Sequence, residues 1–141
     1  MGTYQVIRRH EIHCGHRVHL HEGACKNLHG HSYVVHFYCQ APELDSLGRV
    51  IDFGVLKVLL CKWLDDNFDH RTLIWQEDPL AITLPKLDPS VVIVPFNPTA
   101  ENIARYICEV IAPIQLINTS VTVAKVMVEE TGNCRASYEL N

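Results

Sequence analysis

His31-Ser-Tyr-Val-Val-His-Phe-Tyr-Cys-Gln40 is the stretch that decides the fold. Aromatic and β-branched residues fill it, a composition that suits a pleated, partly buried surface, so it reads as a strand. Residues 3–16 carry a weaker version of the same signal, from Tyr4 through Ile12. The two segments read as antiparallel neighbours joined by a loop over His19 to Leu28. Pro42 to Gly48 then turns the chain.

The apolar period next changes from two to nearly four. Asp52 has the place of a helix N-cap, and Phe53, Leu56, Leu60, Trp63 and Leu64 follow at helical spacing to about Asn67. Residues 76–90 contain Pro79, Pro85 and Pro89 and read as a long irregular loop. Val91 to Val94 reads as a short buried strand or extended segment. Asn97 or Thr99 caps a second helix with Pro98 near its first position. Ile103, Tyr106, Ile107, Val110 and Ile111 form its stripe, and Pro113 ends it. Ser120 to Glu130 and Arg135 to Leu140 complete the strands. The order β-β-α-α-β-β predicts one α+β domain over residues 1–141, an antiparallel four-stranded sheet with two helices on one face. Its open edges invite pairing between copies, so a homo-oligomer is expected.

Of the 141 residues 48% are hydrophobic, which excludes a disordered chain. Twelve Lys and Arg against sixteen Asp and Glu give a net charge of −4, which argues against nucleic acid as the main partner. Met1 to His13 lacks the apolar run of a signal peptide, and no stretch is long and apolar enough for a membrane span. A cytoplasmic location is expected, with no membrane partner. The six cysteines include no Cys-x-x-Cys pair and read as reduced thiols, mostly packed as small apolar groups.

The nine histidines are the anomaly, because eight of them lie between His10 and His36. In His29-Gly30-His31 the imidazoles stand at i and i+2 of a strand and share a face. His16, near the end of the preceding strand, completes a three-histidine set. Three neutral nitrogens with one open position are the arrangement of catalytic zinc. His13, His19 and His21 compete for the third place, and spacing does not choose among them. Cys25 has three readings: a thiolate activated by the metal and Lys26, a fourth ligand closing a structural Cys-His₃ site, or a buried thiol. Asp69 orients His70 only if the fold turns the pair back on itself, since adjacent side chains diverge. Glu130 ends the valine-rich strand, either as a functional carboxylate or, with Glu129, as a solvated strand end.

Taken in order, Gly15-His16-Arg17, Cys25-Lys-Asn-Leu-His-Gly-His-Ser-Tyr33, Val50-Ile-Asp-Phe-Gly-Val-Leu-Lys57, Asp69-His70, Asn97-Pro-Thr-Ala-Glu-Asn102 and Val128-Glu-Glu-Thr131 resemble the family of 6-pyruvoyl- and 6-carboxy-tetrahydropterin synthases. The resemblance implies a tunnelling fold whose subunits form a barrel, a trimer or hexamer with active sites at subunit interfaces. It implies zinc held by His16, His29 and His31, and Cys25 as catalytic base or acid with Asp69 and His70 as its partner pair. It implies that Glu130 anchors the pterin and that Thr99 and Glu101 line the same region. Three residues separate Cys25 from His29, which resembles the 6-carboxy branch serving queuosine and other deazapurines. That branch converts 7,8-dihydroneopterin triphosphate to 6-carboxytetrahydropterin, acetaldehyde and triphosphate; the pyruvoyl branch typically has a longer gap. Arg17, Lys26 and Arg71 are the candidates for holding the triphosphate. Two stretches depart from the family pattern. Ile12-His-Cys-Gly stands where Phe and small residues are usual, and Thr131 to Tyr138 lacks a tryptophan.

Overall fold

The computed structural model describes residues 2–141. Strand β1 (Gln5–His16) and strand β2 (His29–Gln40) pair antiparallel over their full length, from Gln5 opposite Gln40 to His16 opposite His29. Helix α1 runs over residues 53–67 as α-helical Phe53–Leu56 and Lys62–Asn67 with a π-helical turn, Lys57–Cys61, between them. Strand β3 (Thr72–Trp75), helix α2 (Leu80–Leu87) and strand β4 (Val91–Val94) follow. Helix α3 spans residues 100–115 and also carries a central π turn, Ile107–Ile111. Strands β5 (Thr122–Glu129) and β6 (Arg135–Glu139) end the chain.

The sheet has six strands in the order β4-β3-β1-β2-β5-β6. This corrects the expected four-stranded antiparallel sheet. The four expected strands are present and antiparallel, but β3 joins β1 in parallel through Gly15–Thr72 and His16–Leu73, and β4 joins β3 in parallel. The stretch 76–90 is corrected too, because it contains α2. Pro79, with φ fixed near −54°, sits at the N-cap, and Pro85 falls in the last turn of so short a helix that the missing N–H costs little. Asp78 organises this segment: its carboxylate accepts the Leu80 N–H at 2.8 Å.

Helices α1 and α3 cover one face of the sheet. Leu56, Leu60 and Leu64 from α1 and Ile103 and Ile107 from α3 form one core with Ile12, Tyr33, Val35, Phe37, Val126 and Val128, and Ile111 of α3 is buried as well. Both apolar columns repeat every four residues. On a 3.6-residue helix such a repeat drifts by roughly 40° per step, and the wider π turn in the middle of each helix takes up the drift. Val110, expected in the stripe, lies inside the second π turn and is 40% exposed, and Phe53, the first residue of α1, is 53% exposed. Asp52 and Thr99 are the N-caps, accepting from Gly54 N–H at 2.8 Å and Asn102 N–H at 3.1 Å. Among the described residues, no helix is long and apolar enough to cross a membrane.

Candidate metal centre

The β1–β2 register builds the centre. Residues directly opposite in an antiparallel pair present side chains to the same face. Ile12–Tyr33, Cys14–His31 and His16–His29 face the helices, whereas His13–Ser32 and Gly15–Gly30 face the other way. His16, His29 and His31 therefore converge on the helix side, with ring centroids 4.5 to 5.2 Å apart. Glu130 lies one step beyond the Val34–Glu129 pair, on the face of Val126 and Val128, and joins them. One donor atom from each of the four residues lies within 4.8 Å of all the others.

Backbone carbonyls set the tautomers. His16 Nδ1–H donates to the Pro98 carbonyl at 2.6 Å, and His29 Nδ1–H donates to the Asn27 carbonyl at 2.7 Å. Both Nε2 atoms are left as lone pairs, and they face each other at 3.0 Å. The Glu130 carboxylate stands 3.4 Å from His16 Nε2 and 3.2 Å from His31 Nε2. Burial is the chief cause that pushes the pKa of His16 and of His31 below the ordinary histidine value. Acceptors aimed at one point repel unless a cation lies among them. Neutral imidazoles fixed by outer carbonyls are the ligands that zinc and related divalent ions take. The donor set fits a metal.

The segment Asn97-Pro98-Thr99 fastens this site to α3. Asn97 clamps the His19 peptide from both sides, accepting its N–H at 3.1 Å and donating to its carbonyl at 3.0 Å. Pro98 orients His16, and Thr99 caps the helix. Thr99 thus has a supporting position behind the metal site, and Glu101 is exposed in the first turn of α3. Cys25 is half-buried in a short 3₁₀ turn, Ala24–Lys26, between the two long strands. It is not one of the four clustered donors; the carboxylate of Glu130 takes the place that a Cys-His₃ site would give it. Burial is the chief cause that pushes the Tyr33 hydroxyl above the ordinary tyrosine value, with the Glu130 charge behind it.

Asp69 and His70 are elsewhere. His70 adopts a left-handed φ of 59°, which turns its ring back so that Nδ1 meets the Asp69 carboxylate at 2.9 Å. Asp69 also accepts the His13 N–H at 2.8 Å, and the His70 N–H donates to the His13 carbonyl at 2.6 Å. Burial works to raise the Asp69 carboxyl, but these hydrogen bonds and the neighbouring imidazoles hold it below the usual range. The His70 ring lies edge-on to His13, centroids 5.7 Å apart, on the sheet face away from the metal cluster. A cleft of about 470 Å³ opens there, lined by His13, Gly15, Gly30, Ser32, His70 and Arg71. Of the triphosphate candidates, Arg71 lines this cleft and Lys26 is exposed beside Cys25. Arg17 is already engaged: its guanidinium holds both oxygens of the buried Asp78, with Nε 2.6 Å from Oδ2.

The sequence model of the 6-pyruvoyl tetrahydropterin synthase family matches residues 5–141. A Rickettsia conorii protein named 6-carboxy-5,6,7,8-tetrahydropterin synthase is 38% identical over 132 residues, 92% of this chain and 96% of that one. A protein of the same name from Haemophilus influenzae is 33% identical over 111 residues, 74% of this chain and 79% of its own. Among solved structures, an uncharacterized protein of Wolinella succinogenes aligns over 100% of both chains with a TM-score of 0.83 at 27% identity. The 6-pyruvoyl tetrahydropterin synthase of Caenorhabditis elegans aligns with a TM-score of 0.70 at 25% identity, over 100% of this chain and 98% of its own.

Proposed function

Because the chain belongs to the 6-pyruvoyl tetrahydropterin synthase family, lyases of pterin biosynthesis, we propose that it is a zinc-dependent 6-carboxy-5,6,7,8-tetrahydropterin synthase. Its substrate is 7,8-dihydroneopterin triphosphate, and with water it yields 6-carboxytetrahydropterin, acetaldehyde and triphosphate for queuosine or related 7-deazapurines. The observation that carries the reading is the convergent His16, His29, His31 and Glu130 set in a chain similar over 92% of its length to a protein of that name. The spacing of Cys25 from His29 supports the same branch.

His16, His29 and His31 would hold the zinc, which when bound supplies Lewis acidity to the side-chain oxygens of the substrate. The Pro98 and Asn27 carbonyls keep His16 and His29 in the ligating tautomer. Glu130 anchors the pterin, its carboxylate accepting two parallel hydrogen bonds from the ring N–H and the exocyclic amine. Thr99 caps the helix beside the Pro98 carbonyl that holds His16, and Thr99 and Glu101 would line the substrate region. Cys25 moves a proton on the substrate side chain, and His70, oriented by Asp69, is its partner. Within one chain the sheet separates His70 from the histidine cluster. In this reading a neighbouring copy would present its own Asp69–His70 pair to this site. This supports a homo-oligomer, trimer or hexamer, with interfacial sites working in the cytoplasm.

The test is incubation of the zinc-loaded protein with dihydroneopterin triphosphate, followed by mass spectrometry and an acetaldehyde assay. Acetaldehyde with a carboxylated pterin is the expected result. A product that keeps the three-carbon side chain makes the chain a pyruvoyl synthase, and no turnover by folded, metal-replete protein refutes the enzymatic assignment.

A further inference from the structure

We propose that Glu130 closes the metal centre in the substrate-free enzyme and that recognition of the pterin ring is what opens it. The inference rests on the reading above that the same carboxylate anchors the ring, and it adds a second, competing partner for it.

Three observations carry it. Glu130 Oε1 stands 3.4 Å from the lone pair of His16 Nε2 and 3.2 Å from His31 Nε2, inside the space that all four donor atoms share. It arrives there by strand parity, on the face of the fully buried Val126 and Val128. The turn behind it is fastened as well: the Glu130 N–H donates to the Cys134 carbonyl at 3.0 Å, which fixes the backbone from which the side chain reaches the histidines. A carboxylate in that position has no proton to share with His16, whose Nδ1–H is committed to Pro98. Its counterpart is the cation that the three imidazoles would hold, and it supplies the anionic oxygen that a set of three neutral nitrogens lacks.

The Glu130 side chain is 27% exposed, so an incoming ring can reach it. The pterin offers two parallel N–H donors, the geometry that a carboxylate binds best. Once Glu130 turns to the ring, the position it occupied on the metal is free for the substrate's side-chain oxygens. One carboxylate thereby ties ring recognition to access to the metal. A phosphorylated polyol without the ring has nothing to offer Glu130 and finds the metal closed.

The full chain loaded with Co(II) tests this by visible absorption, which reports the ligand set independently of turnover. Glu130→Gln is expected to change the cobalt spectrum of the free protein and to weaken Co(II) binding about tenfold in a chelator competition. Adding a pterin that has no side chain at C6 should shift the wild-type spectrum toward that of the variant, although this ligand presents no oxygen for the metal. A variant with wild-type spectrum and affinity overturns the proposal, and so does a wild-type spectrum unmoved by saturating pterin. The spectral result stands apart from the functional assignment. A cobalt shift without turnover of dihydroneopterin triphosphate upholds the Glu130 switch and refutes the synthase reading, whereas turnover with an unchanged variant spectrum does the reverse.

Discussion

Replacing Arg17 with methionine separates a structural cation from a substrate-binding one. Asp78 has a fully buried side chain, and the guanidinium of Arg17, 21% exposed, binds both of its oxygens. Removing one partner of a buried pair leaves an uncompensated charge, at about 3–5 kcal/mol. For a domain of this size each kcal/mol is roughly 3–5 °C of melting temperature, so R17M should melt about 10–20 °C lower at equal protein concentration. Arg17→Met with Asp78→Asn should recover much of the loss, because the amide keeps an acceptor for the Leu80 N–H without the charge. The pH dependence has a definite sign. Burial would raise the Asp78 carboxyl, but the Arg17 guanidinium and the Leu80 N–H outweigh it and hold it below the usual carboxylate value. Its contribution to stability is complete above the unfolded-state value and disappears as pH falls toward the lowered folded one. Wild type should therefore lose its advantage over the double variant in acid. Thermal melts monitored by circular dichroism from pH 7 to 3 make the comparison. An R17M protein that melts within roughly 1 °C of wild type but has a raised KM for the triphosphate substrate would refute the argument and return Arg17 to the phosphate site.

Thr99→Ala removes the N-cap of α3 and should cost about 1 kcal/mol in chemical denaturation; because the Pro98 carbonyl beside it orients His16, zinc affinity measured by competition should fall too. Chelation should lower the melting temperature and zinc should restore it, since stripping the ion leaves acceptors facing one another at 3.0 Å; a melt indifferent to chelator would count against a resident metal. Cys25→Ala and His70→Ala should each be inactive alone, whereas refolding them together should restore about a quarter of wild-type turnover by random assortment. No recovery in mixed oligomers would place both residues in one subunit's site.

Legibility in the sequence varied with how local each signal was. The β1–β2 pair was readable because twelve-residue strands repeat their pattern several times. Four-residue β3 cannot, and its place comes from parallel pairing with Gly15 and His16 more than fifty residues away. Pro79 and Pro85 read as breakers, and α2 formed because one stands at its start and the other near its end. The helical stripes were sound at Leu60 and Ile107 but strayed at Phe53, the exposed first residue of α1, and at Val110, which lies in a π turn. At the site, His29-Gly-His31 announced its own geometry through strand alternation. What steadies His16 and His29 is backbone oxygen, which every residue has and no letter marks. Arg17 looked free because its partner lies 61 residues away. The reach of Asp69 to His70 depended on a positive φ that histidine seldom adopts.

Gly15 and Gly30 oppose each other directly behind the histidine cluster, and a Cβ on Gly15 would come within 2.9 Å of Thr72 Oγ1. The partition between the histidine cluster on one side and the His70 cleft on the other is therefore a single layer of bare backbone. If each copy lends His70 to a neighbour, every protomer holds two half-sites back to back through this common wall. Neither can then drift in sequence alone: a change at residues 13–16 or 29–32 made to suit one substrate contact is felt at once by the chemistry of the site next door.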